Sequence, residues 1–256
     1  MRFQLDHDWQ GNMATPRARV GENAKTQLLL VLCAIWILLG LTGHAPWKPL
    51  EAASITIVKG MIHGGSLIAP LAAGESTLES PPLYYLTAAA SAKLLSPFFS
   101  MHDGARLINV LWMTIVLLMV GMAGRELWAR GVGRHATFIM IGTIGLVINA
   151  HSLNAEIASL ACAATGFYAL ALCKRRPWRA SVLLAAALSA GFLSDGWMLP
   201  LILLSTSILL PLLFRAWRTI SYAKVLGMAL AIASPFIVGW LITLPLLLIP
   251  GMILIL

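Results

Sequence analysis

Charge is what this 256-residue chain has least of. Only 11% of its residues are Asp, Glu, Lys or Arg, against 59% hydrophobic. A water-soluble domain carries about 25% charged residues to clothe its surface. The deficit excludes a soluble enzyme and a disordered chain, and points to lipid as the medium that accepts outward-facing apolar side chains. Cysteine is equally scarce. Cys33, Cys162 and Cys173 all lie inside apolar runs, with no Cys-x-x-Cys spacing and no Cys/His cluster. They read as small buried residues rather than a disulfide framework or a zinc site. Phosphate-binding and dinucleotide glycine loops, His-Glu-x-x-His and a nucleophile elbow are all missing. The middles of the apolar runs hold no charge, so the sequence offers no support for an intramembrane ion path.

What is present is a series of long apolar runs. A span needs about 20 mostly apolar residues, about 17 at the least. Runs over 27–43, 107–124, 136–150, 157–173, 180–194, 198–214 and 225–249 predict an all-α polytopic transmembrane bundle of about seven spans. Residues 1–26 read as a polar cytoplasmic tail and 27–256 as one membrane module. The run after the tail is long enough to span and lacks a cleavage site, so it reads as a signal anchor.

The few charges then decide topology. Segment 81–98 is short, contains Lys93 and is bracketed by Pro81-Pro82 and Ser96-Pro97, which suit a helix start and stop. If it lies flat at the interface, the tail and loops 125–135, 174–179 and 215–224 share one side. That side then holds 14 of the 18 basic residues. This is the positive-inside pattern, so the N-terminus is expected in the cytoplasm. The net charge of +8 then sets orientation and implies no nucleic-acid partner. The opposite side receives a long first loop, 44–105, with interfacial helices at 51–64 and 81–98, and tight turns at 151–156 and 195–197. Loops longer than about 12–15 residues are commonly functional.

Candidate residues gather on that side. Glu51 opens the amphipathic stretch after Trp47-Lys48-Pro49-Leu50. Glu156 sits at a span lip in HSLNAEIASLA, in a compact polar group with His151 and Asn154, where a carboxylate is costly unless used or solvated. Asp195 lies in a Ser194-Asp195-Gly196 turn. Lys59, Lys93 and Arg106 are cations that could meet a lipid phosphate or snorkel to headgroups. Trp47, Tyr84, Tyr85 and Trp197 suit an aromatic belt, and one of the tyrosines could instead line a lipid or sugar groove.

In order, these features are Trp-x-Pro-x-Glu-Ala, GESTLESPPLYYLTAAASAKLLSP, an Ala-Arg-Leu entering a span, GRELWARGVGR, an acid at the next exterior turn, and GFLSDG. The arrangement resembles the N-terminal module of the GT-C membrane glycosyltransferases, specifically the protein O-mannosyltransferase and aminoarabinose lipid A transferase branch, over roughly residues 27–215. The resemblance implies transfer of a sugar from a polyprenyl-phosphate carrier to a lipid or protein acceptor at the extracytoplasmic face of the bacterial inner membrane. It implies Glu51 and Glu156 as catalytic carboxylates, either of which could serve as the base, with Lys59, Glu79, Tyr84, Tyr85, Lys93, Arg106, His151, Asn154 and Asp195 as substrate contacts. A divalent metal held by Glu51 and Glu156 is a further way to stabilise a departing phosphate.

The chain departs from the family pattern at several points. Leu50 stands where an Asp precedes the Glu, Ser80 where a Lys follows Glu79, Glu156 where the second exterior turn has an Asp, and Asp195 where a Lys is usual. Members are also longer. The alternative reading is therefore a non-catalytic subunit that keeps the scaffold, binds lipid and joins other membrane subunits.

Overall fold

The computed structural model describes residues 22–68, 70–72, 75–76, 81–129 and 131–253. The architecture among them is helical. The first helix, α1, is Glu22–Leu38, and α2, Leu50–Ile62, follows a loop. A minimal antiparallel ladder (β1 Leu71–Ala72, β2 Glu75–Ser76) precedes α3, Pro82–Leu94. Then come α4 (Met101–Arg106), α5 (Ile108–Leu127), α6 (Val132–Ile141), α7 (Ile144–His151), α8 (Glu156–Leu172), α9 (Pro177–Asp195) and α10 (Met198–Leu213). A single 3-10 turn, Arg215–Trp217, leads into α11, Ile220–Ile253.

Helices form in both segments, 51–64 and 81–98, where they are expected. In α2 the buried residues Glu51, Ser54, Ile57, Val58 and Met61 recur at helical spacing, while Ala53, Thr56 and Lys59 face out. α3 starts at the predicted Pro82 and caps at Leu95, just before Ser96-Pro97. At 13 residues it reaches about 20 Å, short of a hydrocarbon core of about 30 Å. Its alanine face lets α4 press close, and a Cβ on Gly104 would stand 3.1 Å from the Ala92 backbone.

Two helices among the described residues are long and apolar enough to cross a membrane: the run Met101–Leu127 and Ile220–Thr243. α6 and α7 qualify as a pair but are bent by 70°. The continuous span expected over 136–150 is therefore broken. Gly142 donates to the carbonyls of Phe138 and Ile139, Thr143 Oγ1 bonds back to Ile139 O, and Thr143 turns extended before α7 begins. The side-chain bond offers the backbone an alternative to the helical ladder. The runs Asn23–Leu38, Glu156–Leu172 and Met198–Leu213 are apolar but shorter than 18 residues, so by length alone fewer than seven helices meet the spanning requirement.

Two packed clusters form the interior. One joins α1, α2, α3, α5 and the start of α8 around Val58, Tyr84, Met113 and Ala158; the other joins the rest of α8 with α9, α10 and α11 around Leu184, Leu188, Leu203 and Ala229. Alanines on α8 and α9 let these two helices lie close along their length, as packing between helices in lipid requires. The three cysteines are free and buried, as expected.

The polar residues separate into two ends. At one, Arg134 reaches Thr26 (3.3 Å), Arg175 pairs with Glu126 (2.8 Å), and Lys174 sits over the Trp217 ring. These contacts bring α1, loop 125–135, loop 174–179 and the 215–218 turn together, the grouping expected from the flat 81–98 segment. The other end holds α2, α3, α4 and the turn before α8.

Candidate functional site

The residues singled out at this second end fall into three groups. The first is built on Glu51 and Arg106, which come from α2 and the end of α4. Arg106 is wholly buried and Glu51 nearly so, at 0% and 2% exposure. Arg106 Nε donates to Glu51 Oε1 (2.5 Å) and Nη2 to Oε2 (3.0 Å), a forked pair. The backbone N–H of Leu153 also donates to Oε1 (2.9 Å) and that of Trp47 to Oε2 (2.8 Å). Four donors thus occupy the four lone-pair positions of the carboxylate. On its other side Arg106 Nη1 donates to His44 O (2.8 Å) and Asp103 Oδ1 (3.1 Å). Burial alone would push the Glu51 carboxyl up, but the Arg106 and backbone donors outweigh it and hold the group below the usual range.

The second group centres on Tyr84, buried on α3. Its hydroxyl donates to Asn109 Oδ1 (2.9 Å) and accepts from the N–H of Asn154 (3.0 Å). Asn109 Nδ2 in turn donates to Ala150 O (3.1 Å) and Ser152 O (2.7 Å). Burial pushes the phenol pKa well up, so it acts here as a neutral donor and acceptor. Tyr85 packs edge-on against Tyr84. The ring nitrogens of His151 lie 2.6 Å from Val147 O and 3.0 Å from Trp36 O, fixing α7 against α1. Both groups grip residues 150–154, so the turn leading into α8 is held from α2, α3 and α5 at once.

The third group follows directly. Asn154 Oδ1 accepts from the N–H of Glu156 (3.0 Å), an Asx turn that launches α8. The Glu156 side chain is exposed, in the first turn of the helix where the dipole favours an anion. It lines a cavity of about 340 Å³ together with Thr143, Asn149 and Ile157, in the elbow of the α6–α7 bend. Asp195 closes α9 nearby. Burial raises its carboxyl pKa, Ser159 opposes this with a hydrogen bond, and the Glu156 charge adds to the rise. The turn after it is the predicted one, since Gly196 takes φ +78, a conformation that suits glycine.

Lys59 and Lys93 are exposed and apart from these groups; among the described residues neither forms an ion pair. Glu79 lies outside the described residues. Among those described, no three His, Cys, Asp or Glu side chains gather as a metal site, and both oxygens of Glu51 are already taken by protein donors. Sequence reasoning did not single out Asn109 or the main-chain donors of Trp47 and Leu153. Asn109 had a signal, as a lone amide entering an apolar span; the backbone donors had none.

No protein-family model matches the chain. The undecaprenyl phosphate-alpha-4-amino-4-deoxy-L-arabinose arabinosyl transferase of Pseudomonas aeruginosa is 26% identical over 212 residues, covering 75% of this chain and 35% of that protein. Among solved structures, ArnT from Cupriavidus metallidurans shares the fold. Its apo state matches with a TM-score of 0.70 at 17% identity, over 87% of this chain and 43% of that one. Its complex with undecaprenyl phosphate matches with a TM-score of 0.73 at 14% identity, over 88% and 43%. The resemblance to the aminoarabinose transferase branch of the GT-C enzymes thus holds in sequence and in fold. The chain spans well under half the length of the relatives it matches.

Proposed function

We propose that this chain is the N-terminal membrane module of a glycosyltransferase of the inner membrane, with its tail in the cytoplasm and its site at the extracytoplasmic end. It would take a sugar from an undecaprenyl-phosphate carrier and pass it to a lipid or protein acceptor. The observation that carries the reading is Glu156, an exposed carboxylate at a helix N-terminus, opening on a 340 Å³ cavity and set there by a turn clamped from three helices. Inverting transfer needs a base that takes the acceptor hydroxyl's proton as the glycosidic bond to phosphate breaks. Glu156 has free lone pairs for this. Glu51 has none, so it serves as a positioning residue that, with Arg106, holds the turn before Glu156. The similarity in sequence and fold to aminoarabinose transferases supports the carrier.

The test is transfer of radiolabelled sugar from undecaprenyl phosphate-linked 4-amino-4-deoxy-L-arabinose to extracted lipid acceptors by purified protein. Glu156→Gln is expected to abolish transfer while leaving the melting temperature unchanged. Full turnover by that variant overturns the assignment of the base. A second reading, a non-catalytic scaffold subunit, is favoured by the closure of Glu51 and Arg106 on one another, which leaves neither free for substrate. It is checked by affinity purification from native membranes. A stoichiometric set of other subunits, with no transfer by wild-type protein, selects it.

A further inference from the structure

At the basic end, α1 stands off from α5 and α6 and leaves a cavity of about 460 Å³. That size lies within the range of about 300–1,000 Å³ typical of small-molecule sites. Its walls are apolar for about two and a half turns of α1, from Leu29 and Cys33 to Ile37, facing Leu117 and Leu118 of α5. Two arginines from different helices, Arg125 of α5 and Arg134 of α6, line its mouth beside the Thr26 hydroxyl. Arg134 already donates to Thr26 Oγ1 at 3.3 Å, which draws its guanidinium towards the opening. Glu126, next to Arg125 in the chain, is turned to the neighbouring loop, where it pairs with Arg175 at 2.8 Å. The cavity exists because α5 and α6 are drawn together by glycine. A Cβ on Gly133 would collide with the Gly121 carbonyl, and a Cβ on Gly121 would stand 2.7 Å from Thr137 Oγ1. α1 has no such approach to either helix.

We propose that this slot is a binding site for an anionic glycerophospholipid of the leaflet at the basic end, with an acyl chain between α1 and α5 and the phosphate between Arg125 and Arg134. A slot of this composition suits a molecule with a long apolar tail and a negative head. An apolar helix would not need the arginines, and a free phosphate would not need the apolar walls. Basic pockets between spanning helices select anionic headgroups on this principle. The site lies at the end of the bundle opposite Glu156 and does not rest on the transfer reading.

The probe is native mass spectrometry of the full chain released from nanodiscs of equal phosphatidylglycerol and phosphatidylcholine. One retained phosphatidylglycerol, in preference to phosphatidylcholine, is expected. Arg125→Gln and Arg134→Gln should each lower the preference about fivefold, the effect of one basic residue near a lipid headgroup. Ala34→Phe, which fills the wall from an exposed position of α1, should abolish retention with thermal unfolding unchanged. Arg176→Gln with Arg179→Gln, basic residues of the same end outside the slot, should leave retention as in wild type. Equal retention of both lipids, indifference to the Arg125 and Arg134 substitutions, or an equal loss on changing Arg176 and Arg179 overturns the proposal. So does retention that appears only when residues 1–21 are deleted, which would make the slot the seat of the tail. Competition by inorganic phosphate alone would likewise show an ion site and not a lipid site.

Discussion

Replacing Arg106 by Met should destabilise the protein severely and reverse its response to acid. In the native structure Glu51 meets two Arg106 donors and two backbone donors while only 2% exposed. Arg106→Met removes the cation paired with Glu51 and leaves a buried carboxylate short of two partners. Breaking a buried pair from one side costs about 3–5 kcal/mol, which lowers the melting temperature by about 10 °C at about 2–4 °C per kcal/mol. Glu51→Met is costly for a different reason. It strips the N–H groups of Trp47 and Leu153 of their acceptor, at about 1–3 kcal/mol for each buried group, and leaves Arg106 with His44 O and Asp103. The double substitution pays for the orphaned N–H groups but not for a stranded charge. The two changes should therefore be less than additive by about 2–3 kcal/mol. The pH arm fixes the sign. In wild type the Glu51 pKa is lowered, so its contribution is complete above the ordinary glutamate value of about 4.3 and fades as pH falls through the folded value. In Arg106→Met the carboxylate is buried without a cation, its folded pKa rises, and acid restores stability by protonating it. Thermal unfolding in detergent from pH 7 to pH 3 should show the variant gaining stability as pH falls, while wild type holds level to about pH 4 and then loses it. Parallel slopes, or strict additivity in the cycle, would refute the pairing.

Tyr84→Phe removes a hydroxyl that bridges Asn109 and the Asn154 N–H; a loss of about 1–3 kcal/mol in chemical denaturation is expected, with hydrogen exchange rising at residues 150–154. Gly133→Leu must push α6 off α5 at the Gly121 carbonyl, and should cost about 1–3 kcal/mol as an overpacked interface, read by thermal unfolding. Asp195 has a raised pKa, so its charged form weakens folding as pH rises through the folded value. Asp195→Asn should stabilise the protein at pH 7 and lose that advantage in acid, an outcome that a pH series of melting curves checks directly.

The bundle was legible because its signals are local. Apolar runs mark the helices, Pro82 opens α3, and Gly196 turns the chain after Asp195. Of the basic residues grouped by topology, Arg134, Lys174 and Arg175 make contacts that draw their segments to one end, because charge asymmetry and chain connectivity are both written along the sequence. The clamp was not legible. Glu51 and Arg106 are 55 residues apart, and nothing in either neighbourhood states that one neutralises the other. Read alone, each was a free charge at a membrane face and therefore a candidate for chemistry. The break at Gly142-Thr143 was hidden for a different reason, since hydropathy measures how apolar a run is and says nothing of its direction.

That difference changes what the polar residues at the Glu51 end of the bundle mean. A carboxylate and a guanidinium buried together contribute little net stability over apolar residues of the same volume, because the pair must first be stripped of water. What such a pair supplies is exact placement, since four hydrogen bonds to one carboxylate fix α2, α4 and the 150–154 turn in one register. The Tyr84–Asn109 group fixes the same turn independently. Two buried networks converging on five residues of backbone exceed what holding a turn requires, and the residue delivered by that backbone is Glu156. If Glu156 is the base proposed above and rigidity there is their purpose, weakening either network without unfolding the protein should lower turnover more than it raises KM, since displacing the proposed base slows the chemical step while leaving the binding of the proposed carrier intact. Tyr84→Phe is the milder lesion and the one to measure. A change confined to KM would mean that the networks serve the substrate directly, and that the turn is merely their neighbour.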